Sequence, residues 1–188
     1  MRIAIFSGSF NPIHNGHLAI ADEVLSQGAA DELWLLVSPQ NPLKKNTNLY
    51  PEQERLGMVQ LAVEDKPRMK VSDFEFHLPR PTYTIHTLQS LRSTYSGHQF
   101  VLLIGGDNLN IFHKWFDYQR IIDEFGLIVY PRPGFQPDAI NYANTTIITA
   151  PLLDISATEI REKLANGESI AGMVPEKVES YLNTIKKS

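Results

Sequence analysis

A chain of 188 residues, 43% hydrophobic and 20% charged, has the composition of an ordinary folded domain, which excludes both a disordered segment and a membrane-embedded one. Its formal net charge of −4 and pI near 5.8 speak against a nucleic-acid binder, and any anionic substrate must be held by local positive groups. The absence of cysteine removes disulfides, thiolate nucleophiles and thiolate metal sites, and fits a reducing, cytoplasmic setting.

Short apolar runs alternate with helix-length amphipathic segments along the chain. Strands are predicted over residues 2–6, 33–37, 69–73, 100–104, 126–130 and 146–149, each compact and bounded by Gly, Pro, Ser or Asp. The first strand runs into Gly8-Ser9-Phe10-Asn11-Pro12-Ile13-His14-Asn15-Gly16-His17. There a helix begins near Asn15 and ends at Gly28, with Leu18, Ala21, Val24 and Leu25 on one face. A second helix follows Pro51, with Leu56, Val59 and Val63 inward, and a third carries Ile85, Leu88, Leu91 and Tyr95. The segment 131–137 is Pro-rich and reads as a rigid loop within the domain. Near-continuous apolar strands separated by helices predict an α/β fold, a doubly wound parallel sheet in a single domain over residues 1–188. No run of about 18 apolar residues suggests a membrane span, and the N-terminal apolar run is too short for a signal peptide.

A strand feeding a tight glycine turn and then a helix is suited to a polyphosphate. Gly8 lets the backbone approach an anion, and the helix N-terminus offers unpaired N–H groups and partial positive charge. His14 and His17, three residues apart in the first turn, can face the same phosphate. The competing reading is a metal pair, for which no third ligand with suitable spacing is evident.

This first motif matches the G-x-F-x-P-x-H-x-G-H pattern of the nucleotidylyltransferase superfamily, and Ile155-Ser156-Ala157-Thr158-Glu159-Ile160-Arg161 is similar to its I-S-S-T-x-I-R signature. About 140 residues separate the two, so their co-occurrence in one chain is strong support. The segments Arg80-Pro81-Thr82-Tyr83-Thr84-Ile85-His86-Thr87-Leu88, Ile104-Gly105-Gly106-Asp107 with Trp115, Pro131-Arg132-Pro133-Gly134 and Val174-Pro175-Glu176 resemble the bacterial nicotinate-nucleotide adenylyltransferase family over nearly the whole chain.

The resemblance implies a Rossmann-like sheet with a small C-terminal helical part. It also implies adenylyl transfer from ATP to nicotinate mononucleotide in NAD biosynthesis, with release of pyrophosphate. His14, His17 and Lys44 are the implied catalytic residues. ATP would be held by Gly8, Ser9, Phe10, His14, Gly16, His17, Gly105, Asp107, Arg132, Ser156, Thr158 and Arg161. Nicotinate mononucleotide would be held by Lys44, Tyr83, Thr84 and Trp115. Mg²⁺ is expected to travel with the ATP phosphates, because the motif offers no carboxylate cage. The expected partners are these small molecules, with no nucleic acid and no membrane. A homo-oligomer is left open, because no exposed apolar stripe stands apart from the core pattern to decide it.

Several of these positions carry a plainer reading beside the functional one. Ser156 with Glu159 forms a capping box that any surface helix uses. Asp107 suits an N-cap as well as a ribose contact, and Trp115 suits the core as well as a pyridine ring. The chain also departs from the family pattern. Ala157 replaces the second serine of the signature, Lys44 stands where P-P-H-K has histidine, and His86 replaces the aspartate of T-x-D-T-L. Lys45 reads equally as part of a solvated basic loop, and His86 as a helix-surface residue. Adenylyl transfer to nicotinamide mononucleotide or phosphopantetheine, or a non-catalytic nucleotide-binding regulator, are the alternatives.

Overall fold

The computed structural model describes residues 1–39, 49–131, 142–151 and 153–185. Strand β1 (Arg2–Gly8) is followed by helix α1 (Asn15–Ser26), β2 (Glu32–Val37), α2 (Glu52–Val63) and β3 (Met69–Ser72). After a 3₁₀ turn at Phe74–His77 come α3 (Thr84–Thr94), β4 (Gln99–Gly105) and the short α4 (Gly106–Asn110). A second 3₁₀ turn at Phe112–Lys114 leads to α5 (Tyr118–Glu124), β5 (Leu127–Tyr130), β6 (Thr145–Ile147), α6 (Ala157–Asn166) and α7 (Glu176–Ile185).

Among the described residues these six strands form one sheet in the order β3-β2-β1-β4-β5-β6, with every pair parallel. The expected doubly wound α/β sheet is therefore present, and its strand order reverses between β1 and β4. β1 lies in register with β2 from Ile3 opposite Glu32 to Gly8 opposite Val37, and with β4 from Arg2 opposite Gln99 to Ile5 opposite Leu102. The carboxyl ends of β1, β4 and β5 thus meet on one edge, where such sheets bind ligands.

The strands read as continuous apolar runs because both faces are covered. Ala4, Phe6, Leu33, Leu35, Val101 and Leu103 bury one face against α1, α2, α6 and α7. Alternate residues, Ile3, Ile5, Trp34, Leu36, Leu102 and Ile104, bury the other against α3, α4 and α5. Each fully buried aliphatic side chain of this kind contributes about 1.5–3 kcal/mol. Among the described residues no helix is long and apolar enough to cross a membrane.

In α1 the expected face is the buried one, and Gly28 takes a left-handed φ of 67° just beyond the helix end. Two helix faces differ from expectation. In α2 the expected Val59 and Val63 are buried, joined by Arg55, Met58 and Ala62, while Leu56 sits at the core margin. Tyr95 lies just past α3, 38% exposed, with its ring 5.0 Å from that of Trp34. Helix propensity has run out there, and the ring rests on the sheet's rim.

Candidate active site

The loop after β1 is held from several sides. A side chain on Gly8 would meet the Phe10 ring at 3.2–3.4 Å. Phe10 itself has φ 44°, a left-handed backbone that costs a non-glycine residue about 1–2 kcal/mol. Its ring is 2% exposed and meets Phe6 and His17 edge-on, at 5.6 and 5.2 Å. Burial of a phenyl ring, at about 1.5–3 kcal/mol, offsets the strain. Only the backbone of Phe10 is thereby left to serve a ligand.

Arg55, 1% exposed, rivets this loop to its neighbours. Nη1 donates to the carbonyls of Ser9 (2.6 Å) and Ser38 (2.7 Å), Nε to Tyr50 (2.9 Å) and Nη2 to Pro39 (3.1 Å). The Ser38 N–H in turn donates to the Gly8 carbonyl at 2.9 Å. Burial draws the guanidinium below its ordinary pKa, opposed by the nearby Glu52 carboxylate. Asn11, also buried, accepts from the Tyr50 N–H through Oδ1 at 2.9 Å.

At the start of α1 the His14 backbone is extended (φ −146°, ψ 168°), and the His17 N–H donates to the His14 carbonyl at 2.9 Å. The His14 N–H donates to His17 Nδ1 at 3.3 Å, which assigns the acceptor role to Nδ1 and leaves Nε2–H as the donor of a neutral His17. The two imidazoles stack, with centroids 3.7 Å apart and planes 29° from parallel. Gly16 makes room for this, since a Cβ there would lie 3.0–3.1 Å from the His14 ring. Asn15 anchors the turn to the C-terminal segment, its N–H donating to Met173 O at 2.9 Å and Nδ2 to Gly172 O at 2.8 Å.

The second signature approaches from across the edge. Ser156 Oγ accepts from the Glu159 N–H at 3.1 Å and caps α6, as the capping-box reading expects of it. Arg161 Nη1 donates to the Asn11 carbonyl at 2.7 Å and Nη2 to Thr158 Oγ1 at 3.1 Å. At the end of β4, a Cβ on Gly105 would run into the Asp107 carboxylate and lie 3.0 Å from the Tyr130 phenol. Asp107 is exposed in the first turn of α4. A cavity of about 350 Å³ opens among these elements, lined by His14, Gly16, Ile20, Tyr130, Asp154 and Ser156.

Tyr83, Thr84 and Trp115 gather elsewhere on the same rim. Tyr83 precedes α3 and is 37% exposed, and Thr84 is the first residue of that helix. Trp115 is half-buried, its ring 5.1 Å from Phe112. Its neighbour Phe116 is 50% exposed, 4.8 Å from the Tyr83 ring and 5.5 Å from His86. Lys44, Lys45, Arg132 and the Pro-rich segment after Pro131 lie outside the described residues. Among the described residues no group of three or more His, Asp or Glu is placed to hold a metal ion.

The structure thus joins His14, Gly16 and Ser156 around one cavity, and ties Thr158 and Arg161 to the first motif. Asn11, Arg55 and Glu75 were not singled out from sequence. For Arg55 a signal existed: it occupies the first position of the i, i+3, i+4, i+7 stripe completed by Met58, Val59 and Ala62, where an arginine is buried only if its donors are used.

Known proteins resemble this arrangement throughout. A family model described as cytidylyltransferase-like matches residues 5–163. A "Probable nicotinate-nucleotide adenylyltransferase" of Bacteroides fragilis is 50% identical over 170 residues, covering 90% of this chain and 85% of the relative. One of Bacteroides thetaiotaomicron is 45% identical over 183 residues, covering 97% and 91%. In fold, the chain superposes on Plasmodium falciparum nicotinic acid mononucleotide adenylyltransferase complexed with NaAD, with a TM-score of 0.82, 20% identity and coverage of 98% and 96%. With its paired histidines, its second signature and relatives of this identity over most of its length, the chain belongs to the cytidylyltransferase-like family and, within it, to the nicotinate-nucleotide adenylyltransferases.

Proposed function

We propose that the chain transfers the adenylyl group of ATP to nicotinate mononucleotide, giving nicotinate adenine dinucleotide and pyrophosphate. The observation that carries this reading is the convergence of His14, Gly16 and Ser156 on one cavity, with Arg161 clamped to Asn11 behind it. A helix N-terminus, a neutral imidazole donor and a guanidinium are groups that bind and stabilise a polyphosphate.

The nucleophile is a phosphate oxygen already ionised at neutral pH, so no general base is needed. It forms a bond to the α-phosphorus while the bond to the bridging oxygen breaks, and that electron pair leaves with pyrophosphate. The chain supplies in-line positioning and charge stabilisation. His17, through Nε2–H, and His14 are assigned to the phosphates at the reacting centre, and the resemblance assigns Lys44 the same role. The backbone of Gly8, Ser9 and Phe10 lies along the phosphate path, and Ser156, Thr158 and Arg161 take the β- and γ-phosphates. Gly105 and Asp107 are assigned to the ribose side, with Arg132 also on ATP. Tyr83, Thr84 and Trp115 are assigned to the pyridine nucleotide. Mg²⁺ is assigned to the substrate phosphates, because the first motif offers no carboxylate cage.

Pyrophosphate release with ATP and Mg²⁺ tests the reading, comparing nicotinate mononucleotide, nicotinamide mononucleotide and phosphopantetheine as acceptors. The expected result is a strong preference for the first. Preference for either of the others overturns the acceptor assignment, and no release with any of them overturns the catalytic reading.

A further inference from the structure

Glu75 sits in the 3₁₀ turn between β3 and α3, 5% exposed, and no step of the adenylyl transfer uses it. Its Oε1 lies 3.2 Å from Thr87 Oγ1 in α3 and 3.4 Å from Ser7 Oγ in β1, and its carboxyl also bonds the Ser38 hydroxyl beyond β2. Ser38 is one of the residues riveted by Arg55, and its N–H holds the Gly8 carbonyl. Thr87 is in turn tied to Tyr83, its N–H donating to the Tyr83 carbonyl at 3.1 Å with Oγ1 3.4 Å from the same oxygen. One buried polar chain therefore runs from the glycine loop, through Ser38 and Glu75, to the N-terminal turn of α3.

We propose that Glu75 is a positioning residue for the pyridine nucleotide: it fixes the first turn of α3, with Tyr83 and Thr84, against the strand ends that carry the nucleotide loop. This rests on the assignment of Tyr83 and Thr84 to the acceptor. The Thr87 hydroxyl has one hydrogen and two neighbours, the Tyr83 carbonyl and Glu75 Oε1, and the carbonyl only accepts. Thr87 Oγ1 donates to Glu75 Oε1 at 3.2 Å, and the Tyr83 carbonyl keeps the Thr87 N–H at 3.1 Å as its donor, so both acceptors are paired. Burial pushes the carboxyl above its usual range, against the pull of the Ser38, Thr87 and Ser7 hydroxyls.

The test is steady-state kinetics with ATP and nicotinate mononucleotide varied in turn, for wild type, Glu75→Gln, Glu75→Ala and Thr87→Val. Glu75→Ala should raise KM for the acceptor about tenfold or more with KM for ATP changed less than about threefold, because only the acceptor side loses its anchor. Glu75→Gln keeps a carbonyl oxygen that can accept from Thr87 and Ser7, and should bring the acceptor KM back within about threefold of wild type. Thr87→Val cuts the same chain with little loss of volume and should shift KM in the direction of Glu75→Ala, so the proposal stands or falls on it if the alanine variant does not fold. Equal rises in both KM values, or an unchanged acceptor KM in Thr87→Val, would overturn it. If wild type turns over a different acceptor, the functional reading fails, and the same split measured on that acceptor decides the role of Glu75. No turnover with any acceptor overturns both.

Discussion

The guanidinium of Arg161 donates to the main-chain carbonyl of Asn11 at 2.7 Å, across a sequence separation of 150 residues. Asn11 is held on its other side by the Tyr50 N–H, and Tyr50 in turn accepts from Arg55. The two signatures are therefore mechanically one device. α6 carries Arg161 to the loop that precedes α1, so a displacement of either motif is felt by the other.

Arg161→Ala should weaken ATP binding about tenfold or more, since a hydrogen bond to a charged group contributes about 1.5–3 kcal/mol and the phosphate loop loses its brace. Arg161→Lys should recover only part of this, because an ammonium cannot span Asn11 and Thr158 in the same fork. Calorimetry with a non-hydrolysable ATP analogue reads the effect. Wild-type affinity in the alanine variant would confine Arg161 to a structural clamp.

The sheet was legible because its strands are buried on both faces and so read as unbroken apolar runs, from Ile3-Ala4-Ile5-Phe6 to Leu127-Ile128-Val129-Tyr130. The histidine pair was legible because a glycine turn between strand and helix has few other uses. The contacts of Arg55 and Glu75 were not, although the stripe shared with Met58, Val59 and Ala62 turns Arg55 inward. Arg55 is met by loop carbonyls and Glu75 by hydroxyls from other elements, and no local pattern announces a partner contributed by Ser38 or Thr87. The left-handed Phe10 was hidden as well, since a bulky residue takes that backbone only where the core holds its ring.

His17→Ala should lower kcat by about a hundredfold or more while ATP binding stays measurable, because a donor aimed at developing charge acts mainly in the transition state. The Nδ1 contact to the His14 N–H fixes which nitrogen donates. Single-turnover rates and ATP affinity measured on the same preparation separate the two effects. An unchanged kcat would remove His17 from the reacting centre.

Arg55→Met should destabilise the fold by about 2–4 kcal/mol, since the thioether leaves the Ser9, Ser38, Tyr50 and Pro39 carbonyls without their donor. Arg55→Lys should also be destabilising, because three N–H groups on one nitrogen cannot reach four carbonyls set around a planar fork. Urea denaturation followed by circular dichroism measures both. A midpoint equal to wild type in the methionine variant would mean that the loop holds its shape without the rivet.

Trp115→Ala should raise KM for the pyridine nucleotide about tenfold and KM for ATP by less than about threefold, as the loss of one stacking surface predicts. Phe116→Ala is the informative comparison, because Phe116 and Tyr83 form the exposed aromatic pair beside Trp115. An acceptor KM that responds to Phe116→Ala and not to Trp115→Ala would move the stacking platform to that pair and return Trp115 to the core around Phe112.

The buried acid at Glu75 has a thermodynamic signature independent of catalysis. Its pKa is raised in the folded chain from the ordinary 4.5, chiefly by burial. Below about pH 4.5 the carboxyl is neutral in both states and folding meets no ionisation cost. As pH rises, the unfolded chain releases this proton first, so the unfolded state is favoured progressively until the folded pKa is passed. Wild type should therefore lose stability relative to Glu75→Gln with increasing pH, the Gln-minus-Glu difference growing from pH 4.5 upward and then levelling off. Paired urea denaturation of the two proteins across that range cancels the titration of all other groups. A difference that stays flat with pH would mean that Glu75 ionises in the fold as easily as in the unfolded chain, and that its burial carries no ionisation cost.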